Sequence, residues 1–338
     1  MNRDSESRSV SVIVPAFNAG SRIGNCLEAL QSQAERCDAE ILVVDDGSSD
    51  NTSDVVQRYR GVRLIHQVNS GPASARNRGA FEARGEIIVF TDDDCVPAPG
   101  WLGAMLKPFT NPDVVGAKGV YRTRQKELIA RFVQIEYEDR YRLMAASDSI
   151  DFVDTYSAAF RRNRFLEVNG FDTEFPLACA EDAELSYRMS GRGWKLNFVP
   201  EAVVYHSHPQ TLTGYLKKKY KFSFWRVLAV RKNPEKALKD SHTPQVMKLQ
   251  LFFVPALVLA AAVDVIKRPS VPLSAIVAAA FFVSTLPFIA RALPKDGNVA
   301  LCSAILLAAR SGAQFLGVAA GLIYTRRKPV RIATKSAA

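Results

Sequence analysis

Short apolar stretches alternate with segments of helical periodicity in the first part of the chain. Four stretches with the character of strands each end in a turn rich in Asp, Gly, Ser or Pro; they cover residues 10–14, 40–44, 62–65 and 86–90. Apolar residues at helical spacing between them, as over residues 23–30, predict amphipathic helices. Strands that alternate with helices favour an α/β fold with a mostly parallel sheet and helices on both faces.

The fourth predicted strand runs directly into three carboxylates, Asp92, Asp93 and Asp94. Because residues i and i+2 of an extended chain point the same way, Asp92 and Asp94 are expected to present two carboxylates on one side. They would lie at the C-terminal end of a strand, where open α/β sheets bind ligands. Adjacent carboxylates repel, and a hard divalent cation such as Mg²⁺ or Mn²⁺ would offset the repulsion. From these residues alone, the alternative is a solvated acidic turn.

The pattern changes after residue 210. Residues 210–248 contain ten basic and two acidic residues, so this segment carries +8 of the chain's net charge of +10. Aromatic residues interleave with the lysines, which indicates a helix at an anionic membrane surface rather than a nucleic-acid-binding segment. Three apolar runs follow, each close to the length that spans a bilayer, over residues 249–266, 271–290 and 299–324.

The charges near these runs leave the membrane topology open. Basic residues over 326–331 favour a cytoplasmic tail, which requires an even number of crossings, whereas three runs give an odd number. Two or three crossings are therefore both possible, and so is either side for the tail. Arg310 lies in the middle of the third run, where a charge is expected to face protein or a cavity.

The remaining composition indicates a cytoplasmic location for the catalytic part. Residues 1–9 lack the apolar core of a signal peptide, and the five cysteines are scattered without a C-x-x-C pair, which suits a reducing compartment. The expected location is the cytoplasmic (inner) membrane, crossed more than once. Four parts are predicted: a catalytic domain over 1–208, a basic membrane-interface segment over 209–248, transmembrane helices over 249–325 and a basic tail over 326–338.

Four motifs occur in an order and spacing that resemble the inverting family 2 glycosyltransferases of the GT-A fold. They are VIVPAFN (12–18), DDGSSD (45–50), GPASARNRG (71–79) and FTDDD (90–94). The resemblance implies a nucleotide-sugar donor, with Asp46 at the position that hydrogen-bonds the base. The other residues that it implies at the nucleotide are Pro15, Phe17, Asn18 and Asp45.

The same resemblance implies a divalent metal, Mn²⁺ or Mg²⁺, on the donor diphosphate. Its ligand is the last member of an Asp-x-Asp motif, here Asp94, accompanied by Asp92. Because the run contains three aspartates, the register and the role of Asp93 stay open. Arg76 is a candidate for contact with the diphosphate, and the alternative for it is a solvated helix arginine.

Two later segments extend the resemblance. Residues 170–174 are similar to a Gly-Phe-Asp turn of the family, and residues 180–188 are similar to the helix start that carries the catalytic carboxylate. This implies Asp182 as the general base, with Glu181 beside it; the electrostatics of a helix N-terminus alone would also favour acidic residues here. His206 corresponds to a further metal ligand of some members. His208 would point to the same side of an extended chain, and an ordinary structural histidine is the alternative for both.

The sequence thus predicts a membrane-bound, metal-dependent glycosyltransferase with a nucleotide-sugar donor, a UDP-sugar being favoured. The expected acceptor is a hydroxyl of a membrane-proximal glycan or lipid. The alternative enzyme is a polyprenyl-phosphate glycosyltransferase, whose phosphate acceptor is already ionised and needs little help from a base. A non-catalytic scaffold is disfavoured because the carboxylates at 92, 94 and 182 are all present. A nucleotidyltransferase would not need the Glu-Asp helix start.

Overall fold

The computed structural model describes residues 9–175, 179–237 and 240–327. Residues 1–8 and the part of the predicted tail beyond Arg327 lie outside the described residues. The chain divides into two compact units, and the helix Leu128–Ala145 contributes residues to both. The first unit comprises the chain up to Arg124, Tyr141–Ser207 and Asp240–His242, and the second comprises Gln125–Arg140 and the remainder.

An eight-stranded sheet organises the first unit. Its strands are β1 (Val10–Ala16), β2 (Ala39–Asp45), β3 (Val62–His66), β4 (Ile87–Phe90), β5 (Val96–Pro97), β6 (Val114–Arg122), β7 (Ala158–Arg161) and β8 (Lys195–Tyr205). The order across the sheet is β3-β2-β1-β4-β7-β6-β8-β5. The helices of the chain are α1 (Ile23–Arg36), α2 (Thr52–Gln57), α3 (Pro72–Glu82), α4 (Trp101–Leu106), α5 (Leu128–Ala145), α6 (Arg162–Glu167), α7 (Glu181–Gly191), α8 (Leu212–Lys232), α9 (Gln245–Lys267), α10 (Leu273–Ala292) and α11 (Gly297–Arg327).

The sheet is mixed, and its parallel half is the part that the sequence pattern predicted. Strands β3, β2, β1 and β4 are parallel neighbours, with Ala16 opposite Asp45 and Ile13 opposite Phe90. Strand β7 then inserts antiparallel between β4 and β6, and β5 pairs antiparallel with β8. The α/β fold is confirmed, and these antiparallel pairs give the sheet its mixed character, although β6 and β8 are again parallel. The carboxyl ends of β1, β2 and β4 meet at one edge.

Helices α1 and α3 belong to crossovers that run in opposite directions along the sheet. Because parallel crossovers are right-handed, α1 and α3 cover opposite faces. Helix α3 packs closely on β1: a Cβ at Gly79 would lie 2.4 Å from Ile13 Cγ2. This close packing brings the first turns of α3 to the same edge as the ends of β1 and β4.

The second unit is helical. Three of its helices, Gln245–Lys267, Leu273–Ala292 and Gly297–Arg326, are long and apolar enough to cross a membrane. They correspond to the three apolar runs of the sequence. The carboxylate of Asp264 accepts hydrogen bonds from the backbone N–H groups of Leu273 and Ser274, so α9 caps the N-terminus of α10.

Arg310, in the middle of α11, is buried and ion-paired. Its Nη1 lies 2.8 Å from a carboxylate oxygen of Glu136, whose other oxygen lies 2.9 Å from Lys219 Nζ. Burial disfavours the charged form of Glu136, but Lys219 and Arg310 outweigh burial and lower its pKa to about 2. A charge within an apolar helix thus faces protein partners.

Helix α11 contacts α8 through glycines, and we expect a larger residue at these positions to destabilise the protein. A Cβ at Gly321 would lie 2.6 Å from the carbonyl oxygen of Phe224, so Gly321→Ala forces two backbones apart. Overpacking of this kind costs about 1–3 kcal/mol. Gly312 of the same helix has open space around a Cβ and serves as the matched control. Thermal unfolding of the full chain in detergent should show a lower midpoint for Gly321→Ala only; equal midpoints for both variants would contradict this packing.

Candidate active site

The loop after β1 forms one wall of the candidate site. Pro15 is buried within β1, whereas Phe17 is 46% exposed at the loop. Asn18 adopts a positive φ of 46°, and its side-chain oxygen accepts a hydrogen bond from the Ser49 backbone at 2.9 Å. Its own backbone N–H donates to the Ser48 hydroxyl. Asn18 therefore ties the loop after β1 to the loop after β2, and the aromatic ring of Phe17 is left accessible to a ligand.

Asp45 and Asp46 follow each other at the end of β2, and each holds a different loop. Asp45 accepts hydrogen bonds from the Ser48 backbone at 3.0 Å and from the Ser53 hydroxyl at 2.8 Å. Burial opposes ionisation of Asp45, but these hydrogen bonds, together with a nearby histidine, lower its pKa. This residue therefore stays ionised and fixes the turn.

The carboxylate of Asp46 faces the start of α3. It accepts hydrogen bonds from Gln67 Nε2 at 2.7 Å, the Ser70 backbone at 2.8 Å and the Gly71 backbone at 2.9 Å. The first two reach Oδ1 and the third reaches Oδ2. A carboxylate oxygen can accept two hydrogen bonds, so Oδ2 retains capacity for a further donor. The sequence did not indicate that Asp46 holds the segment that leads into α3. The contact of Asp46 with a nucleotide base stays a prediction.

The three aspartates after β4 diverge toward three different partners. The backbone N–H of Cys95 donates to the Asp92 carbonyl and closes a turn. The extended geometry expected for Asp92 and Asp94 therefore does not hold. Asp92 pairs with Arg76 at 2.7 Å, Asp93 pairs with Arg22 at 2.8 Å, and Asp94 lies 3.3 Å from His206 Nδ1. Burial raises the pKa of Asp93, although Arg22 opposes this effect.

A group with the donor types of a metal site includes Asp94, Cys95 and His206. All its ligand atoms lie within 4.8 Å of one another, and Asp92 is not a member. Carboxylate and imidazole are donors that Mn²⁺ and related ions accept in proteins, so the predicted ligands Asp94 and His206 fit a divalent cation. The participation of Asp92 as a ligand stays a prediction.

The two candidate histidines have different surroundings. The His206 ring stacks on Tyr121 with a centroid separation of 4.6 Å, which fixes its orientation beside Asp94. His208 belongs to the second unit, where its Nε2 lies 3.1 Å from Gln134 and its ring stacks on Tyr137. These contacts favour a structural function for His208.

Arg76 is the buried centre of the site. It is 2% exposed, and its guanidinium donates to Asp92 at 2.7 Å and to Glu181 at 3.0 Å. The other oxygen of Glu181 accepts hydrogen bonds from the Cys179 and Ala180 backbones. Arg76 therefore joins the acidic turn after β4 to the start of α7, and Glu181 is fully engaged in holding this junction.

Asp182 follows Glu181 in the first turn of α7 and is half-buried. Its Oδ1 accepts a hydrogen bond from the Ala183 backbone at 2.7 Å. Burial and the neighbouring Glu181 carboxylate raise the pKa of Asp182 to about 7. A carboxyl group with this pKa can accept a proton near neutral pH, which is the property that a general base needs.

Several supporting residues were missed by the sequence reasoning. The Asn77 side-chain amide donates to the Phe171 carbonyl and accepts from the Phe171 backbone N–H, at 2.8 Å each. Arg188 donates to the Gly170 carbonyl at 2.7 Å. These contacts fix the Gly-Phe-Asp turn beside α7. Asn77 and Arg188 lie inside the segments 71–79 and 180–188 that carry the resemblance, but neither segment indicated these contacts. Arg22 and Cys95 were also missed, because their partners are distant in the chain.

Known proteins resemble this chain in sequence and in fold. Residues 11–168 match the family described as Glycosyl transferase family 2. The match identifies a family 2 glycosyltransferase domain over residues 11–168. The matched range contains the two nucleotide-side loops, Arg76 and the acidic turn, and it ends before Asp182.

Among curated relatives, a pre-mycofactocin glycosyltransferase of Mycobacterium tuberculosis is 27% identical over 221 residues, which is 63% of this chain and 45% of that protein. The chain thus spans less than half the length of that relative. Glycosyltransferase AglE of Haloferax volcanii is 29% identical over 221 residues, covering 62% of this chain and 70% of its own length.

Among solved structures, a mannosyltransferase of Pyrobaculum calidifontis in complex with GDP-mannose and Mn²⁺ superposes with a TM-score of 0.62 at 22% identity. The likeness covers 94% of this chain and 87% of the mannosyltransferase chain. This similarity supports the GT-A-like fold described above.

Proposed function

We propose that this family 2 glycosyltransferase is an inverting, divalent-metal-dependent enzyme that transfers a sugar from a nucleotide donor to a hydroxyl group of a glycan or lipid near the membrane. The observation that carries the proposal is the buried Arg76, which links the acidic turn to the helix of Asp182. This link supports an arrangement in which a candidate cation-binding carboxylate, Asp94, and a separate candidate base, Asp182, serve one site.

The donor would lie along the edge formed by the ends of β1, β2 and β4. The exposed ring of Phe17 and the remaining acceptor capacity of Asp46 suit a nucleotide base, and Asn18 and Asp45 hold the loops that carry them. Asp94 and His206 would hold Mn²⁺ or Mg²⁺, which supplies charge stabilisation to a leaving diphosphate. A UDP-sugar is the favoured donor, and a GDP-sugar is the first competitor because the solved mannosyltransferase contains GDP-mannose.

A hydroxyl acceptor is favoured over a lipid phosphate because of Asp182. Its pKa of about 7 suits removal of a proton from a weak nucleophile, whereas a phosphate is already ionised. A polyprenyl-phosphate acceptor stays the alternative, and the turnover of an Asp182 variant distinguishes the two.

We expect nucleotide binding to depend on Asp94 and a divalent cation. Calorimetry on the full chain in detergent, with UDP, GDP and dTDP as probes and Mn²⁺ present, should show binding that chelation abolishes. Asp94→Asn should weaken Mn²⁺-dependent binding by at least about 100-fold, since even outer-shell metal contacts are worth 10–100-fold. Asp113, an exposed aspartate of the same unit, provides the control Asp113→Asn. Nucleotide binding that survives chelation would contradict the metal assignment.

We also propose that the protein is an integral protein of the cytoplasmic membrane with its catalytic unit in the cytoplasm. The three apolar helices and the basic helix α8 support this location. Alkaline carbonate should leave the full chain in the membrane pellet, and detergent should release it. Release by carbonate alone would contradict integral insertion.

A further inference from the structure

The C-terminal part of helix α11 packs along α8. A Cβ at Gly317 would lie 2.4 Å from the carbonyl oxygen of Tyr220, one helical turn before the contact of Gly321 with α8 described above. Near the end of both helices, Arg231 Nη1 donates to the carbonyl oxygen of Thr325 at 2.5 Å. Later residues of α11 thus meet later residues of α8, so the two helices run in the same direction.

Helix α8 is too charged to lie in the hydrocarbon core of a membrane. Its 21 residues contain seven basic and no acidic residues. Lys217 and Lys221 are exposed, and Lys219 is held by Glu136 at 2.9 Å. Basic residues at this density suit the headgroup level of an anionic leaflet, because a charge is costly among the acyl chains. Since α11 contacts the backbone of α8 directly, its C-terminal part lies at the same level.

The first half of α11 is also tied to charged residues. Asp296, directly before α11, pairs with Arg131 of α5, and Arg310 pairs with Glu136 of the same helix. A third crossing helix antiparallel to α10 would carry Arg310 about 21 Å from Asp296, which is beyond the middle of a hydrocarbon core about 30 Å thick. Arg310 instead donates to Gln250, about 7.5 Å along α9 from its start. Helix α11 is therefore inclined to the hairpin that α9 and α10 form.

The exposed side chains of α11 differ in their distribution from those of the hairpin. Leu301, Ile305, Leu316 and Ile323 are between 57% and 83% exposed, and their spacing places them on one face of the helix. Consecutive residues are exposed in the hairpin, as over 257–259 of α9 and 278–280 of α10. In the apolar part of each helix, 11% of the residues are buried in α9 and in α10, but 39% are buried in α11. One apolar face is typical of an interfacial helix, whereas exposure all round is typical of a spanning one.

We propose that only α9 and α10 cross the membrane, and that α11 lies beside α8 at the membrane surface on the side of the first unit. The apolar stripe of α11 then meets the acyl chains, and the lysines of α8 meet anionic headgroups. Helix α9 follows closely after His242 of the first unit, and two crossings return the chain to that side. The basic segment from Arg326 then shares the cytoplasmic side, which removes the conflict with an odd number of crossings. This inference rests on the proposed integral insertion.

Labelling of introduced cysteines with a membrane-impermeant maleimide, in intact cells that express the full chain, tests the number of crossings. Three exposed positions are suitable: Ser270 between α9 and α10, Arg326 at the end of α11, and Asp113 in the first unit. Ser270→Cys should be labelled in intact cells above the background from the native cysteines of the wild type. Arg326→Cys and Asp113→Cys should be labelled only after permeabilisation.

Labelling of Arg326→Cys together with Ser270→Cys in intact cells, while Asp113→Cys stays protected, would demonstrate three crossings and overturn the inference. Failure of the proposed insertion would look different, because all three positions would then be labelled alike and carbonate would release the chain.

The depth of α11 gives a second test, in vesicles of phosphatidylethanolamine and phosphatidylglycerol that contain the full chain. A bimane fluorophore is attached to Leu316→Cys in α11 or to Val258→Cys near the middle of α9, two positions of similar exposure at 60% and 66%. After subtraction of the wild-type signal, lipids with a quencher near the headgroup should quench the Leu316 probe most. Lipids with a quencher near the acyl-chain end should quench the Val258 probe most. Equal depth of the two probes would contradict a surface position for α11.

Discussion

Asp182→Asn should lower kcat by about 10²–10⁴-fold, the usual cost of losing a general base, while Mn²⁺-dependent nucleotide binding persists. The amide preserves the size of the side chain but cannot take a proton from an acceptor hydroxyl. The carboxylates at the proposed cation site are unsuitable substitutes, because Asp92 and Asp93 are ion-paired and Asp94 lies against His206. Glu181 is also engaged, by Arg76 and two backbone N–H groups.

The wild type should show the matching pH dependence. Because the pKa of Asp182 is raised to about 7, the carboxyl group is protonated and inactive below that pH and ionised and active above it. The value of kcat/KM should therefore rise with pH through about 7 and then level off, and Asp182→Asn should lack this rise. Asp148→Asn, at an exposed position of the same unit, should keep the wild-type profile.

Steady-state kinetics on the native acceptor decides between the two acceptor classes. Near-normal turnover by Asp182→Asn would remove the assignment of this residue as base. Combined with intact nucleotide binding, that outcome would favour a lipid phosphate as the acceptor.

Arg76→Met should destabilise the first unit by about 3–5 kcal/mol, the cost of breaking a buried ion pair by removing one partner. Methionine keeps much of the apolar volume of the side chain but leaves Asp92 and Glu181 without their shared cation. The Glu181 side chain is only 2% exposed, so water cannot compensate its charge. Loss of nucleotide binding should accompany the loss of stability, because the acidic turn and α7 are no longer joined.

Arg78 provides a matched control two residues along the same helix. Its side chain is 51% exposed and pairs with Glu82 four residues away, an interaction worth about 0.3–0.5 kcal/mol. Hydrogen exchange of the amides in β1 and β4, in the full chain in detergent, reports on the first unit without requiring reversible unfolding of the membrane helices. Similar protection in Arg76→Met and Arg78→Met would show that Arg76 does not hold the site together.

The sequence by itself determined the parallel half of the sheet and the three apolar helices. Strand and helix periodicity are local properties, and the turn residues after β1, β2 and β4 mark where each strand ends. The order of the motifs was equally visible, so the family and the residues at the sheet edge followed from the sequence. The antiparallel insertion of β7 was not visible, because pairing between β4 and β7 joins segments about 70 residues apart through only four pairs.

Tertiary structure alone decided the partner of each aspartate in the acidic turn. Three identical side chains in a row carry no local signal of direction, and their partners Arg76, Arg22 and His206 come from three distant segments of the chain. The same holds for Cys95, whose sulfur meets a histidine 111 residues away. An extended strand would have aligned the carboxylates of Asp92 and Asp94. The turn closed by Cys95 instead directs each carboxylate to a different partner. Local periodicity therefore gave the elements and the edge where they converge, whereas the charges and donors of the site were paired only by packing between distant segments.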